Sequence, residues 1–227
     1  MNKQDTINQA LNIITSWNLD DSHSKSFSDF VFYWAFAHTN QHKVTTRLDS
    51  KESVQDGVVE LAQLLSNAML NGYSDPIGDI LIELGVNTKT KRMNNHQDDD
   101  FLEQMMGLND NEVYEPFCGT GALTMELMQA YCEKHTERSN PLDHYTYYLE
   151  EVKPLNCAAA VIQIFHKLEY LSTKFGTAII PGNLKIINID PITRQEGTQH
   201  YIASKMSDAE QIEHNLNSLP NTQPTIH

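Results

Sequence analysis

The stretch VYEPFCGTGALTMEL, residues 113–127, sets two glycines, a proline and a cysteine between two apolar runs. Glycine turns the chain tightly and admits a close neighbour where a Cβ would not fit. A short strand pattern ends at about Tyr114–Phe117, and a helical pattern opens near Ala122. The same alternation continues downstream. YTYYLEEV reads as a strand rich in aromatic residues, PLNCAAAVIQIFHKLEYL as a helix, and TAIIPGNLKIINI as one or two strands. Strand, helix, strand, helix, strand is the signature of an α/β fold built on a parallel, doubly wound sheet. Ligands of such sheets sit outside the carboxyl ends of the strands, where helix N-termini offer unpaired N–H groups. The turn Cys118–Gly121 is therefore either a tight corner or a ligand cradle. The pair Glu150–Glu151, about thirty residues on and at the end of the second strand, favours the cradle. A carboxylate there can accept both hydroxyls of a ribose. No G-x-x-x-x-G-K-[ST] occurs, which argues against a triphosphate loop, and the third glycine of a dinucleotide fingerprint is missing.

Upstream, the first 86 residues read as helices. Residues 2–17 place Ile7, Ala10, Leu11, Ile14 and Trp17 at helical spacing, and Ser24–Ser28 start the aromatic-rich FSDFVFYWAFAHT. A third helix runs from about Ser50, with Val54, Val58, Leu61, Leu64 and Leu65 on one face, and stops at Gly72. DPIGDILIELGV opens on Asp75 and Pro76, a cap and a first turn, and closes at Gly85. Residues 87–100, NTKTKRMNNHQDDD, are too polar for a core and form a linker or exposed loop. FLEQMMGL resumes as a short helix and begins the second unit, 101–205; residues 206–227 suggest a last helix and a frayed tail.

Composition narrows the partners. Thirty acidic against sixteen basic residues give a net charge of −14, which disfavours unaided binding to a phosphate backbone; the nearest basic run, TKTKR, is soon followed by QDDD. There is no stretch of about 18 apolar residues, so no membrane span is expected. The N-terminus lacks the pattern of a signal peptide, and three cysteines without metal-ligand spacing fit a reducing cytoplasm. The scattered histidines give no reason to expect a metal.

The run Glu115-Pro116-Phe117-Cys118-Gly119-Thr120-Gly121 resembles the D/E-P-x-C-G-T-G motif of DNA adenine-N6 methyltransferases, above all the modification subunits of type I restriction systems. DPIGDILIEL resembles that family's D-x-x-G-x-x-Y-E-x-L helix, with Ile82 at the tyrosine position. EEVKP resembles its E-x-x-P segment and PGNLKI its G-D/N-x-L segment, so the resemblance covers roughly residues 50–190. It implies a Rossmann-like class I sheet behind an N-terminal helical region, binding S-adenosyl-L-methionine. On that resemblance Glu115, Pro116, Phe117, Cys118, Gly119 and Gly121 line the cofactor, and Thr120 caps the next helix or bonds the cofactor carboxylate. Glu151 holds the ribose, and Asn183 approaches the adenine. DNA is then reached through a partner subunit, in a homodimer or a heteromeric methyltransferase.

The family's catalytic tetrapeptide, [DNS]-P-P-[YFW], does not occur; the nearest string, Ile189-Asp190-Pro191-Ile192, reads as an X-Pro turn after a strand. The glycine- and aromatic-bearing loop that precedes the motif in the family is replaced by NNHQDDD. No catalytic residue is thus assigned, and the expectation is a chain truncated before its catalytic motif. Three readings follow: a methyltransferase subunit completed by another chain, an inactive relative that still binds the cofactor, or an interaction protein with a decayed pocket.

Overall fold

The computed structural model describes residues 2–50, 52–88 and 111–204. The short helix expected over FLEQMMGL, most of the polar linker and the C-terminal helix and tail lie outside the described residues.

Four helices open the fold: α1 (Lys3–Ser16), α2 (His23–Thr39), α3 (Glu52–Leu70) and α4 (Pro76–Glu83), with a 3-10 turn at Arg47–Ser50. Their ends follow from side-chain caps. The Asn2 side chain accepts from the Asp5 N–H, Ser22 from Lys25, and Asp75 from Gly78, while Asn40 closes α2 in the left-handed conformation. The α2 cap is therefore Ser22, ahead of the serines expected to start it. The aromatic run packs inward. Phe27 stacks on Phe30 at 5.8 Å between ring centroids, and Phe30 meets Trp34 at 5.3 Å.

The second part alternates β1 (Glu112–Pro116), α5 (Ala122–Lys134), β2 (Thr146–Glu151), α6 (Pro154–Phe175), β3 (Asn183–Asn188) and β4 (Tyr201–Ser204). The four strands form one sheet in the order β1-β2-β3-β4; the first three are parallel and β4 is antiparallel to β3. The fold is thus mixed α/β with a mostly parallel sheet. Both crossover helices lie together on one face, and α6 packs on β2, β3 and β4 while α2, α3 and α4 pack on α6 from the far side. Among the described residues no helix covers the other face, so the doubly wound arrangement is not seen there; a depression of about 470 Å³ on that face is lined by Tyr114, Tyr148, Lys185, Glu150 and Arg194.

The position of α6 explains its composition. A helix sandwiched between two layers must be apolar nearly all round, and Cys157, Ala158, Ala159, Ala160, Val161, Ile162 and Ile164 are all buried. Its alanines let the sheet and the helical layer approach closely. The outer edge of β4 is closed by a side chain: the Gln41 amide donates to the Ile202 carbonyl (2.9 Å) and accepts its N–H (3.1 Å), standing in for a strand. Among the described residues no helix is long and apolar enough to cross a membrane.

Trp17, buried at the end of α1, rests on Gly57 of α3, where an added Cβ would lie 2.3 Å from its ring nitrogen. Gly57→Ala sets a helix-propensity gain of about 1 kcal/mol against an overpacking cost of about 1–3 kcal/mol. Overpacking should win because Trp17 is enclosed, giving a lower urea midpoint at unchanged m-value. A raised midpoint would show that the ring is free to move aside.

Candidate functional site

The glycine turn leaves β1 at its carboxyl end and is tied to its neighbour strand. The Cys118 N–H donates to the Glu150 carbonyl (2.9 Å), and the Gly121 N–H to the Cys118 carbonyl (2.9 Å). Phe117, Gly119 and Gly121 all have positive φ, at 60°, 57° and 83°. The two glycines do different work. A Cβ on Gly121 would press on Ile164 Cδ1 at 3.3 Å and Ala160 Cβ at 3.4 Å, so this residue lets the turn close onto α6. Among the described residues, a Cβ on Gly119 would meet nothing within 4 Å.

Glu151 completes the turn. One carboxylate oxygen accepts the Gly119 N–H (3.0 Å) and the other the Lys153 N–H (2.8 Å), so β1 and β2 are joined at their ends by a buried acid. Each oxygen keeps a second acceptor position. Glu150 points to the opposite face, as the two-residue period of a strand demands. There it takes both terminal nitrogens of the Arg194 guanidinium at 2.7 Å and the Tyr114 hydroxyl at 2.8 Å. Hydrogen bonding from Arg194 holds the Glu150 carboxyl below the usual carboxylate range and raises the guanidinium in return.

Behind the turn, Asp75 links the two parts of the chain. Its Oδ1 accepts the Thr120 hydroxyl (2.8 Å), the Gln163 amide (2.9 Å) and the Gly78 N–H (3.2 Å). Gln163 also donates to the Thr120 carbonyl (2.9 Å) and accepts the Ile77 N–H (3.0 Å). Thr120 is therefore committed to Asp75 and does not cap the following helix, whose N-cap position is Gly121 and which has no side-chain cap. Glu115 serves that helix instead, accepting the Thr124 hydroxyl and N–H. Burial pushes the Glu115 carboxyl up to about 7, against those hydrogen bonds. Cys118 is buried in the turn with its thiol raised by burial, an inert packing group.

The fold thus brings together Glu115, Pro116, Phe117, Cys118, Gly119, Thr120, Gly121 and Glu151. It does not bring Asn183 to them. Asn183 is the first residue of β3, paired with Thr146 at the amino end of the sheet, whereas Glu151 pairs with Asn188. At ~3.3 Å per residue the two ends of β3 lie roughly 16 Å apart. The P-G-N sequence marks where the parallel strand begins, so its asparagine cannot reach a site at the carboxyl end. The residue found there is Asn188, whose amide donates to the carbonyls of Glu151 (3.1 Å) and Val152 (2.9 Å). It shares a face with Leu184 and Ile186, where alternation expects an apolar residue, so its signal is a polar residue that breaks the pattern at the strand's end. Asp190 folds into its own turn: its carboxylate accepts the N–H groups of Ile192 and Thr193 and the Thr193 hydroxyl.

Phe117, Val152 and Ile192 follow the carboxyl ends of three adjacent strands, each about half exposed or more. The edge therefore offers apolar surface for a flat group, carboxylate acceptors for hydroxyls, and Cβ-free backbone at Gly119 for close approach. Among the described residues, no group of three or more His, Cys, Asp or Glu side chains is placed to hold a metal ion. No protein-family model matches the chain, and neither does any curated protein or solved structure compared with it.

Proposed function

We propose that this chain binds S-adenosyl-L-methionine at the Phe117–Gly121 turn, as a relative of DNA adenine-N6 methyltransferases. The observation that carries the reading is the backbone of Gly119, left-handed, clear of the other described residues on its Cβ side and hydrogen-bonded to a buried acid at the next strand's end. A nucleoside needs that combination of a Cβ-free approach and a carboxylate acceptor. Glu151 accepts the ribose hydroxyls through its remaining lone pairs, and the apolar edge of Val152 and Phe117 receives the purine. The first turn of α5 faces the amino-acid end. The bound cofactor supplies an activated methyl group; the chain's own residues bind and orient it.

A second reading draws on Asp190, in the string nearest to the family's missing catalytic tetrapeptide. Its carboxylate is consumed by its own turn and it follows β3, not a strand beside β1. This supports a cofactor-binding chain that regulates or completes a modification complex and leaves methyl transfer to DNA to a partner. Titration calorimetry with S-adenosyl-L-methionine tests the binding claim. Saturable heat is expected, and Glu151→Gln should weaken it about tenfold or more, the worth of one charge-assisted hydrogen bond at ~1.4 kcal/mol. No heat at millimolar ligand defeats both readings. Tritiated methyl transfer to unmethylated DNA, with and without neighbouring gene products, then separates them.

A further inference from the structure

Away from the glycine turn, α2 and α3 diverge around a half-open cleft of about 570 Å³, a volume within the range of small-molecule sites. Tyr33 and Trp34 form one wall and Val58 and Ala62 the other, and among the described residues no charged side chain lines it. In a chain of net charge −14, an uncharged cleft this size selects against ions of either sign, because a charge brought into it finds no partner.

Tyr33, Gln55, Gln63 and Asn67 add polar groups to the lining, and Ser66 adds one that is oriented by a buried partner. The Ser66 hydroxyl lies 2.9 Å from His166 Nε2, and His166 Nδ1 lies 2.9 Å from the Ile162 carbonyl one turn back along α6. A carbonyl only accepts, so Nδ1 carries a proton; in the neutral ring Nε2 is then the acceptor and takes the serine proton. His166 is buried and clamped in this orientation by Trp34, edge-on at 5.3 Å, and His38 at 5.1 Å. With its proton committed to the histidine, the Ser66 oxygen can offer the cleft only lone pairs. Two apolar side chains of similar volume would close the same floor without desolvating a hydroxyl and an imidazole. The polar pair instead stands where a ligand can reach the serine.

We propose that the cleft between α2 and α3 binds a neutral aromatic molecule carrying one N–H or O–H, which donates to Ser66 Oγ while its ring packs between Trp34 and Val58. Indole and 1-methylindole test this directly, since they differ in that one donor. By titration calorimetry on the full chain, both should bind saturably, with indole about fivefold tighter, the factor expected of one neutral hydrogen bond. Ser66→Ala should erase the preference while leaving 1-methylindole affinity within about twofold, the change expected when no hydrogen bond is lost. Ala62→Trp, which fills the cleft from α3, should abolish binding of both. Failure of the wild-type chain to bind indole saturably overturns the proposal. So does equal affinity for the two ligands in the wild-type chain, or undiminished binding in the folded Ala62→Trp variant.

Discussion

Replacing Asp75 by alanine should lower the free energy of unfolding by about 2–4 kcal/mol and loosen the glycine turn. The loss has two sources. Removing the cap of α4 costs about 1 kcal/mol. Stripping the Thr120 hydroxyl and the Gln163 amide of a shared acceptor costs a further ~1–3 kcal/mol, most of it from Gln163, which is fully buried. Gln163 keeps its bond to the Thr120 carbonyl, which holds the total toward the middle of that range. Gly78 shows how tightly the carboxylate is enclosed, since a Cβ there would sit 2.3 Å from Asp75 Oδ1. Urea denaturation reads the stability, and amide exchange at Gly78 and Gly121 reads the coupling. If exchange rises at Gly78 alone, Asp75 is a local helix cap and the link to the glycine turn is wrong. Asp75→Asn retains one carbonyl oxygen and should recover about half of the loss, a charge-assisted bond being roughly twice as strong as a neutral one.

The elements that the sequence revealed are those whose signals are local. The glycine turn lies between a short strand and a helix because Gly119 and Gly121 must take positive φ, and only the chain on either side decides what they join. The parallel order of β1, β2 and β3 follows from alternating strands and helices. β4 escaped notice because four residues of HYIAS carry too little alternation, and their pairing with β3 depends on a turn built from Asp190. Asn183 and Asn188 show the same limit within a single element. Alternation tells which residues share a face; it does not tell which end of a strand meets the site until the strand's start is known. The acidic pair at 150–151 was legible as a strand end, and the period of two sends its members to opposite faces, Glu151 to the turn and Glu150 to Arg194. Nothing near Thr120 in sequence could have announced Asp75, which lies forty-five residues earlier and in the helical layer. The Ser66–His166 contact is longer still in sequence and forms only because α3 packs on α6.

Glu115→Gln should stabilise the protein at pH 8 by on the order of 3 kcal/mol and leave it nearly unchanged at pH 4.5. Burial raises the Glu115 carboxyl from an ordinary 4.5 to about 7. Between those values the folded chain holds a proton that the unfolded chain has released, so stability falls as pH rises through the window. Above about pH 7 the folded state must carry a buried negative charge that only Thr124 stabilises directly. Glutamine keeps an acceptor for Thr124 and removes the charge. Thermal unfolding of both proteins from pH 4.5 to 8 should therefore give a falling wild-type curve and a flatter variant curve that crosses above it; parallel curves would mean that Glu115 is solvated in the folded state. The same titration bears on the proposed cofactor. An ammonium group held against Glu115 would supply the missing counter-charge, lower its pKa and flatten the wild-type curve at saturating ligand, while Glu115→Gln would show no such change. A wild-type slope that persists with ligand bound would put the amino-acid end of the cofactor elsewhere on the turn, nearer the backbone of Gly119.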